Sequence, residues 1–316
     1  MQHRILGRTD LAISPLALGT VELGMDYGIN APGHFGRPGE TAAIQLVHAA
    51  LDAGINLIDT ARGYGESEAV LGKALHDRRE RVVLATKLST RLPDGSKPDG
   101  AELRTLMLSQ LETSLRLLQT DWVDIWQLHY VDENELGKAE TICRVFDEVK
   151  ASGKVRWVGG SFYGAEMPAA ALELDLFDTI QVTYSVFDQR LADRVFALAQ
   201  EKNVGVIVRS VLLKGALTER ADYLPDHLEA LRERSRTFRQ LVAASGLALT
   251  PAQVALAFAL AQPQIHAVLM GVRTLEEVND NLVALRAELP PHFVAQLATL
   301  RIDDETLINP GKWGIL

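Results

Sequence analysis

Residues 55–60 read Ile-Asn-Leu-Ile-Asp-Thr, a short apolar run that ends in two polar residues. The segment before it, Thr41–Ala53, repeats apolar residues at spacings of three and four, which predicts a helix. Gly54, directly after that segment, is typical of a helix end. The segment after the run, Ser67–Leu75, is also helical by pattern. This part of the chain therefore predicts a strand placed between two helices.

The same alternation of apolar run and helix continues along the chain, and the helix between Leu103 and Leu118 has the clearest apolar face. Runs without polar alternation are typical of strands buried on both faces, and strict alternation with helices predicts a parallel sheet. Eight such units favour a (β/α)8 barrel. An open doubly wound sheet is the alternative, although no Gly-x-Gly-x-x-Gly pattern follows the first run. The eight runs are Leu16–Thr20, Ile55–Thr60, Arg81–Lys87, Trp122–His129, Val155–Ser161, Thr179–Tyr184, Val204–Ser210 and Ala267–Met270.

Two short apolar segments precede the first run. Ile5-Leu6 and Leu11–Ile13 flank a segment rich in Gly, Thr and Asp, which predicts a small β-hairpin. The chain has 316 residues, of which 47% are hydrophobic and 23% charged, so a core of ordinary size is available. Barrels of this length commonly form one domain. We therefore expect residues 1–316 to form a single barrel domain.

Composition excludes several classes of protein. Lys and Arg number 32 and Asp and Glu 41, which gives a net charge of −9 and argues against a nucleic-acid-binding protein. No run reaches the length of a membrane-spanning helix, and the N-terminus has no apolar segment like that of a signal peptide, so we expect no membrane association and a cytoplasmic location. The single cysteine, Cys143, cannot form an intrachain disulfide. No His, Asp and Glu set has a metal-ligand spacing, so we expect no metal.

Titratable residues end three consecutive runs: Asp59, Lys87 and His129. The active sites of (β/α)8 barrels lie at this end of the strands. Tyr64 follows Asp59 in a loop that can fold back over the barrel mouth. Each residue alone is more often structural, for example in an ion pair. Because buried charges need partners, and because all four converge, we expect them to meet as a catalytic group.

This combination predicts a proton-transfer site. A free tyrosine has a pKa of about 10 and is a poor acid at neutral pH. We expect the Lys87 ammonium to lower the pKa of Tyr64, while Asp59 holds Lys87 in place and His129 orients a carbonyl oxygen. An acid of this kind is what carbonyl reduction needs when a hydride arrives at the carbon.

The segments around these residues resemble the aldo-keto reductase family, and the resemblance extends from the hairpin to Asn281. It implies a barrel that reduces aldehydes or ketones, or oxidises alcohols or sugars in reverse, with a nicotinamide cofactor. It also implies a small-molecule substrate and a monomer or weak homo-oligomer. The family's catalytic tetrad maps onto Asp59, Tyr64, Lys87 and His129. The matching segments are residues 59–65 (DTARGYG), 67–68 (SE), 71–75 (LGKAL), 85–87 (ATK) and 127–129 (QLH).

The resemblance further implies a set of cofactor-binding residues. Ser161 and Gln181 would hold the nicotinamide carboxamide and Tyr184 would stack on its ring, while Phe162 stands where the family often has Asn. Residues 210–215 resemble the pyrophosphate loop, with Val in place of the usual Pro, and its backbone N–H groups and lysine would form the anion site. The full set is Thr20, Ser161, Gln181, Tyr184, Ser210, Leu212, Lys214, Gly215, Gly271, Arg273, Glu277 and Asn281.

Arg273 bears on the choice between the two nicotinamide cofactors. Its guanidinium would bind the 2′-phosphate of NADP(H), which we favour over NAD(H). Glu277 complicates this preference because a carboxylate would repel that phosphate, so we expect its side chain to point toward the adenine or solvent. The alternatives are that Arg273 pairs with Glu276 or Glu277, and that Gly215 and Gly271 only shape turns.

Two segments outside the barrel pattern also bear on substrate binding. The long irregular stretch Glu22–Glu40 is rich in glycine, and we expect it to act as a substrate gate. Within it, Tyr27, His34 and Phe35 form either a lid or an ordinary packed loop. In the C-terminal tail, Trp313 either reaches the pocket or pins the tail.

Two other functions compete with catalytic reduction. The first is a nucleotide-sensing regulatory subunit with little turnover, a use to which some relatives put this fold, and the intact tetrad weighs against it. The second is a metal-dependent barrel hydrolase, which chelators would inhibit, and the missing ligand set weighs against it. Fold alone does not choose among these.

Overall fold

The computed structural model describes residues 1–33 and 35–315. Eight strands form a closed barrel in which each is parallel to its neighbours, and the last strand closes the ring against the first. The barrel strands are β3 (Leu16–Gly19), β4 (Leu57–Asp59), β5 (Val83–Leu88), β6 (Val123–Leu128), β7 (Val155–Ser161), β8 (Thr179–Thr183), β9 (Gly205–Arg209) and β10 (Ala267–Gly271), and β1 (Arg4–Ile5) and β2 (Ala12–Ile13) form the predicted hairpin. The predicted (β/α)8 barrel is confirmed.

Helices surround the barrel and connect its strands. The helices are α1 (Val21–Gly24), α2 (Glu40–Asp52), α3 (Ser67–Ala74), α4 (Gly100–Leu118), α5 (Glu133–Gly137), α6 (Ala139–Ala151), α7 (Glu166–Glu173), α8 (Val195–Glu201), α9 (Glu229–Ala244), α10 (Pro251–Leu260), α11 (Leu275–Leu282), α12 (Pro291–Ala298) and α13 (Glu305–Ile308). Within the described residues, no helix is both long and apolar enough to cross a membrane.

Each predicted apolar run contains one barrel strand, with small differences at the ends. The run at Ile55–Thr60 is shortened most, because the Ile55 amide donates to the Ala50 carbonyl and so belongs to the end of α2. After β8, a 3-10 turn precedes α8, with the break at Arg194. Helix α7 follows β7, as the alternation predicts, although its run of alanines gives no distinct apolar stripe.

The helices bury one apolar face against the outside of the barrel. On α4 the buried side chains include Leu103, Met107 and Leu111, which agrees with the predicted face. Between the two layers, the Trp126 ring of β6 packs edge-on against Phe146 of α6 with 5.9 Å between ring centres. This layer is the larger of the two hydrophobic cores and holds the strand ends in fixed positions.

The hairpin closes the N-terminal end of the barrel. Its residues Leu6, Leu11 and Ile13 are buried among the inward-facing strand residues of the smaller core. These strand residues are Ala17, Leu57, Val83, Ala85, Ile125, Ile207 and Ala267. Because apolar side chains fill this end, the opposite end is where polar side chains can converge.

The C-terminal tail is anchored by Trp313. Only 1% of Trp313 is exposed, and its ring N–H donates to the Leu307 carbonyl at 3.2 Å. The Trp313 carbonyl contacts the His227 ring at 3.1 Å. Of the two alternatives for this residue, the tail-pinning one is therefore what the structure has.

The hairpin turn generates a prediction about stability. Gly7 has a φ of +53°, and a Cβ there would lie 2.2 Å from the Gly205 amide nitrogen. Gly95 has a φ of +85°, but no described atom lies within 4 Å of its Cβ position. We expect Gly95→Ala to cost about 1–2 kcal/mol, the penalty of the left-handed conformation alone. Gly7→Ala adds a backbone collision and should cost about 2 kcal/mol more. Urea unfolding of both variants measures the difference, and equal losses would contradict the close approach of the hairpin to β9.

Candidate active site

A cavity of about 770 Å³ opens at the C-terminal ends of the barrel strands. Most of the predicted site residues line it. Lys87 lies directly behind its wall, and Tyr184 does not line it. The predicted residues in the lining are Thr20, Asp59, Tyr64, His129, Ser161, Gln181, Ser210, Leu212, Lys214, Gly215, Gly271, Arg273, Glu277 and Asn281.

The four predicted catalytic residues lie together at one end of this cavity. The Lys87 ammonium forms a buried ion pair with Asp59. It also donates to the Thr60 carbonyl at 3.0 Å and to the Tyr64 hydroxyl at 3.4 Å. The rings of Tyr64 and His129 pack edge-to-face with 5.3 Å between centres. A chain of polar contacts therefore runs from the carboxylate through the ammonium to the phenol.

Strand register explains why Asp59 and Lys87 meet. Asp59 ends β4 and pairs with Ala85 of β5, which faces the barrel interior. Side chains alternate along a strand, so Lys87, two residues further on, points to the same side as Ala85. The barrel thereby brings together two charges that are 28 residues apart in the sequence.

The loop that carries Tyr64 is fixed by backbone hydrogen bonds. The Arg62 amide donates to the Lys87 carbonyl at 3.0 Å, and the Glu66 amide donates to the Gly24 carbonyl at 3.2 Å. At Gly24, a Cβ would lie 1.9 Å from the Tyr64 carbonyl oxygen, so only glycine allows α1 to approach so closely. Helix α1 therefore holds the tyrosine loop over the barrel mouth.

Two glutamine amides hold the second oxygen of Asp59. Gln181 donates to it at 2.8 Å and Gln127 at 3.2 Å. Because both amide nitrogens face the carboxylate, both amide oxygens point away, and within the described residues both are buried without a partner. Gln127 was not among the predicted site residues. The signal for it was its position two residues before His129, on the same side of β6.

Burial, more than the neighbouring charges, controls ionisation in the tetrad. Desolvation raises the pKa of Tyr64, and the Asp59 charge raises it further. The net shift is therefore opposite in direction to the one expected from Lys87, and the phenol keeps its proton at neutral pH. Desolvation also lowers the pKa of Lys87, against the effect of Asp59. The pKa of His129 falls to about 3 through burial and the charges of Lys87 and Arg209, so the imidazole is neutral at pH 7.

Tyr184 does not face the cavity, so its predicted stacking on the nicotinamide is wrong. It is 4% exposed and stacks on Phe258 of α10 with 5.9 Å between ring centres, and Phe196 packs on its other side. The reason is strand alternation. Gln181 points into the barrel, so Tyr184, three residues later, points outward into the helix layer.

Arg209 lines the cavity wall and was not among the predicted site residues. Its guanidinium donates to the Phe162 carbonyl at 2.9 Å, and to the hydroxyls of Ser161 and Ser210 at 3.3 Å each. It also lies over the Tyr163 ring, 4.0 Å from the ring centre. The Phe162 side chain is buried against Phe177 instead, so Arg209 fills this part of the wall.

The predicted pyrophosphate loop has an unusual backbone. Ser210, Leu213 and Lys214 have φ values of 59°, 45° and 54°, a left-handed conformation that L-residues rarely adopt, and Gly215 follows with a φ of 102°. Such strain is concentrated at functional sites. The Lys214 ammonium donates to the Ile315 carbonyl, a neutral acceptor, at 2.9 Å. This loop therefore presents a cation to the cavity at a fixed position.

The far end of the cavity has a different charge pattern from the predicted one. Glu277 accepts hydrogen bonds from the Arg220 guanidinium at 2.7 Å and from the Arg273 amide at 2.6 Å. Its carboxylate thus faces a cation and is partly exposed at the cavity wall, and the expectation that it points toward adenine or solvent stays a prediction. The Arg273 guanidinium bonds to the Tyr27 carbonyl and pairs with neither Glu276 nor Glu277. Arg220 was not predicted because it follows the pyrophosphate loop with no pattern of its own.

Glu22 is a second site residue that the sequence did not predict. It is 8% exposed, and one of its carboxylate oxygens has no partner among the described residues. Burial raises its pKa to about 7, against the effect of Arg273. At Gly271, a Cβ would lie 2.0 Å from the other Glu22 oxygen. Gly271 therefore makes room for this carboxylate, whereas the left-handed Gly215 does shape a turn.

The segment Glu22–Glu40 crosses the side of the cavity that carries Lys214 and Arg273. The Ile29 amide donates to the Lys214 carbonyl at 3.1 Å, and the Tyr27 carbonyl accepts from Arg273. Gly28 approaches closely here, since its Cβ position is 3.1 Å from the Lys214 carbonyl oxygen. Tyr27 lines the cavity, whereas Phe35 does not, and His34 lies outside the described residues. The substrate-gate interpretation of this segment stays a prediction.

Comparison with known proteins identifies the family. The family model described as "Aldo/keto reductase family" matches residues 15–302. An uncharacterised oxidoreductase, YrpG of Bacillus subtilis, is 31% identical over 94% of this chain and 95% of its own length. The NADH-specific methylglyoxal reductase of Escherichia coli is 30% identical over 90% of this chain and 93% of its own length. Among solved structures, the holo form of aldo-keto reductase AKR11C1 from Bacillus halodurans superposes with a TM-score of 0.79 at 27% identity, covering 96% of this chain and 97% of that one. This chain belongs to the aldo/keto reductase family.

Proposed function

We propose that this chain reduces an aldehyde or ketone with NADPH, and that Tyr64 is the proton donor. The observation that carries the proposal is the contact between the Lys87 ammonium and the Tyr64 hydroxyl, with Asp59 behind the ammonium. Membership of the family makes the chain an oxidoreductase of a class that uses nicotinamide cofactors. Such membership favours turnover over the regulatory alternative.

The residues of the cavity fit a nicotinamide cofactor. The buried oxygen of Gln181 has no partner among the described residues and lies in the same wall as the Ser161 hydroxyl. This acceptor and this hydroxyl suit the N–H₂ and carbonyl of a carboxamide. Lys214 and the strained loop around it would take the pyrophosphate. When bound, the cofactor supplies the hydride.

The chain's own residues supply and control the proton. Because burial raises the pKa of Tyr64, its phenol holds a proton at neutral pH, and release of that proton depends on stabilisation of the phenolate that forms. As the proton leaves, the Lys87 ammonium at 3.4 Å stabilises the phenolate that forms. His129 is neutral, so its ring N–H can donate to a carbonyl oxygen without adding a charge.

The preference for NADPH rests on two guanidinium groups in the cavity wall. Arg273 and Arg220 lie on either side of Glu277, and only Arg220 pairs with its carboxylate. The Nε of Arg273 is buried without a partner among the described residues, so this side chain has hydrogen-bonding capacity left for a phosphate. One relative is named as NADH-specific, which makes the preference a direct experimental question.

The proton-donor role predicts the effect of Tyr64→Phe. Loss of the hydroxyl should lower the rate of carbonyl reduction by about 10²–10⁴-fold, the usual contribution of general acid catalysis. The Kd of NADPH should stay unchanged. The assay follows NADPH oxidation with a panel of aldehydes and ketones, and the Kd comes from fluorescence titration.

A matched control for this variant is Tyr130→Phe. Tyr130 is also a tyrosine at the cavity mouth, but it is half exposed and makes no hydrogen bond to Lys87. This variant should keep most of the activity. A Tyr64→Phe enzyme within threefold of the wild-type rate would remove Tyr64 from the mechanism.

Arg273→Ala tests the choice of cofactor. If Arg273 contacts the 2′-phosphate, the variant should bind NADPH about 1.5–3 kcal/mol more weakly, the range for hydrogen bonds to charged groups. NADH, which lacks that phosphate, should bind nearly as before. Equal weakening of both cofactors would mean that Arg273 acts through Tyr27 instead, and tighter NADH than NADPH binding by the wild type would overturn the preference.

The raised pKa of Glu22 predicts that cofactor binding depends on pH. With a pKa of about 7, Glu22 is mostly neutral at pH 6 and mostly ionised at pH 8. An added negative charge repels the phosphates, so the Kd of NADH should rise by about 3–10-fold between these values. NADH is the suitable probe because it has no phosphate that titrates in this range. In Glu22→Gln the dependence should disappear, and a slope that persists in that variant would assign it to another group.

A further inference from the structure

Arg209 is a partly buried cation whose guanidinium bonds only to neutral groups. Its three hydrogen-bond acceptors are the Phe162 carbonyl and the hydroxyls of Ser161 and Ser210. The titratable groups that act on it most strongly are the phenols of four tyrosines rather than carboxylates. Among the residues that the structure describes, no carboxylate forms an ion pair with its guanidinium. Its positive charge is therefore not balanced by the protein.

Two other cations of the site are paired with carboxylates, whereas Lys214 bonds to the neutral Ile315 carbonyl. Lys87 is paired with Asp59, and Arg220 is paired with Glu277. Glu22 interacts mainly with Arg273 and Glu277, and its charge also acts on Tyr64. Arg209 is the cation that contacts the Ser161 hydroxyl, so the positive potential there comes mainly from Arg209.

The position of Arg209 relative to the proposed nicotinamide site follows from Ser161. The Arg209 Nε lies 3.3 Å from the Ser161 hydroxyl oxygen. This inference rests on the proposed function, in which the same hydroxyl holds the nicotinamide carboxamide. Two groups that both hydrogen-bond to one oxygen lie within about 6 Å of each other. The guanidinium is therefore next to the part of the cofactor whose charge changes on reduction.

We propose that Arg209 makes this cavity bind the reduced nicotinamide more tightly than the oxidised one, and so favours carbonyl reduction over alcohol oxidation. The oxidised ring carries a positive charge and the reduced ring is neutral. The phosphates and the ribose groups are the same in both forms. An unbalanced cation beside the ring therefore repels only the oxidised form.

The expected size of the preference follows from the distance. Two unit charges about 6 Å apart at an effective dielectric constant of about 20 give a difference near a hundredfold in binding. Because the cavity is open to solvent, which screens the charges, we expect about tenfold.

The test measures the Kd of NADP⁺ and of NADPH for wild type and for Arg209→Met, in one buffer, by calorimetry or fluorescence titration. Methionine removes the charge while keeping a long side chain. The wild-type ratio of the two Kd values, oxidised over reduced, should fall by about tenfold in the variant. Arg209→Lys retains the charge and should keep most of the ratio. If Arg209→Met does not fold, Arg209→Gln removes the charge and keeps hydrogen-bonding capacity.

Lys214→Met is the matched control, because it removes a cation from the same cavity wall near the proposed pyrophosphate site. It should weaken both forms of the cofactor equally and leave the ratio unchanged. A ratio that stays within twofold of wild type in Arg209→Met, or that falls equally in Lys214→Met, would overturn the assignment to Arg209. Wild-type protein that binds neither cofactor form would instead overturn the proposed function itself, and this inference with it.

Discussion

The ion pair between Lys87 and Asp59 is the interaction on which the rest of the site depends. Both side chains are almost fully buried, and removing charges from water is costly unless each charge is paired and hydrogen-bonded. Here the Thr60 carbonyl completes the ammonium's contacts, and amides of Gln127 and Gln181 hold the carboxylate. A pair of this kind contributes little net stability compared with apolar packing. Its presence at the barrel mouth is better explained by the proposed proton transfer than by a contribution to stability.

The cavity divides into two regions by charge. Around the tetrad, the buried pair is neutral overall, the phenol holds its proton, and the imidazole of His129 is uncharged. Along the remaining wall lie cations with different partners. Lys214 and Arg209 bond only to neutral acceptors, whereas Arg220 faces Glu277. A ligand with negative phosphates at one end and a reactive neutral ring at the other matches this division.

The fold and the tetrad were predictable because both follow from local pattern. The apolar composition of a run such as Ile55–Thr60 predicts a strand. A titratable residue at the C-terminal end of a barrel strand lies at the face where barrel active sites are found. Tyr184 shows the limit of this reasoning. Tyr184 was assigned to the nicotinamide because it lies near Gln181 in the sequence. That assignment ignored the alternation of side chains, which turns Tyr184 outward against Phe258. The direction of the Tyr64 pKa was also missed, because the depth of burial is not visible in a sequence.

The residues that could not be predicted share a physical cause. Arg209 ends β9, Arg220 lies in the segment after that same strand and Glu22 lies in α1, and each has a key partner that is far away in the sequence. A lone charged residue is normally solvated, and for Arg220 and Glu22 nothing in the local sequence indicates that they line a cavity. Arg209 did carry a signal, its place at the end of a barrel strand, but no partner in the sequence pointed to its role. Gly271 is the local sequence signal for Glu22, and its role becomes clear only from the position of the Glu22 carboxylate beside it.

The unbalanced charge of Arg209 carries this argument one step further. A partly buried guanidinium without a carboxylate partner has a desolvation cost that three neutral acceptors and the Tyr163 ring offset only in part. A carboxylate at this place would lower that cost, yet it would also cancel the electrostatic field of Arg209 at the proposed nicotinamide site. Such a carboxylate would then stabilise the positively charged oxidised ring and favour alcohol oxidation. The barrel tolerates the more costly arrangement, in which Arg209 has no carboxylate partner. We infer that this arrangement preserves the electrostatic field of Arg209. The low dielectric constant of the wall raises the desolvation cost of Arg209. It also strengthens the interaction by which Arg209 would distinguish the oxidised from the reduced cofactor.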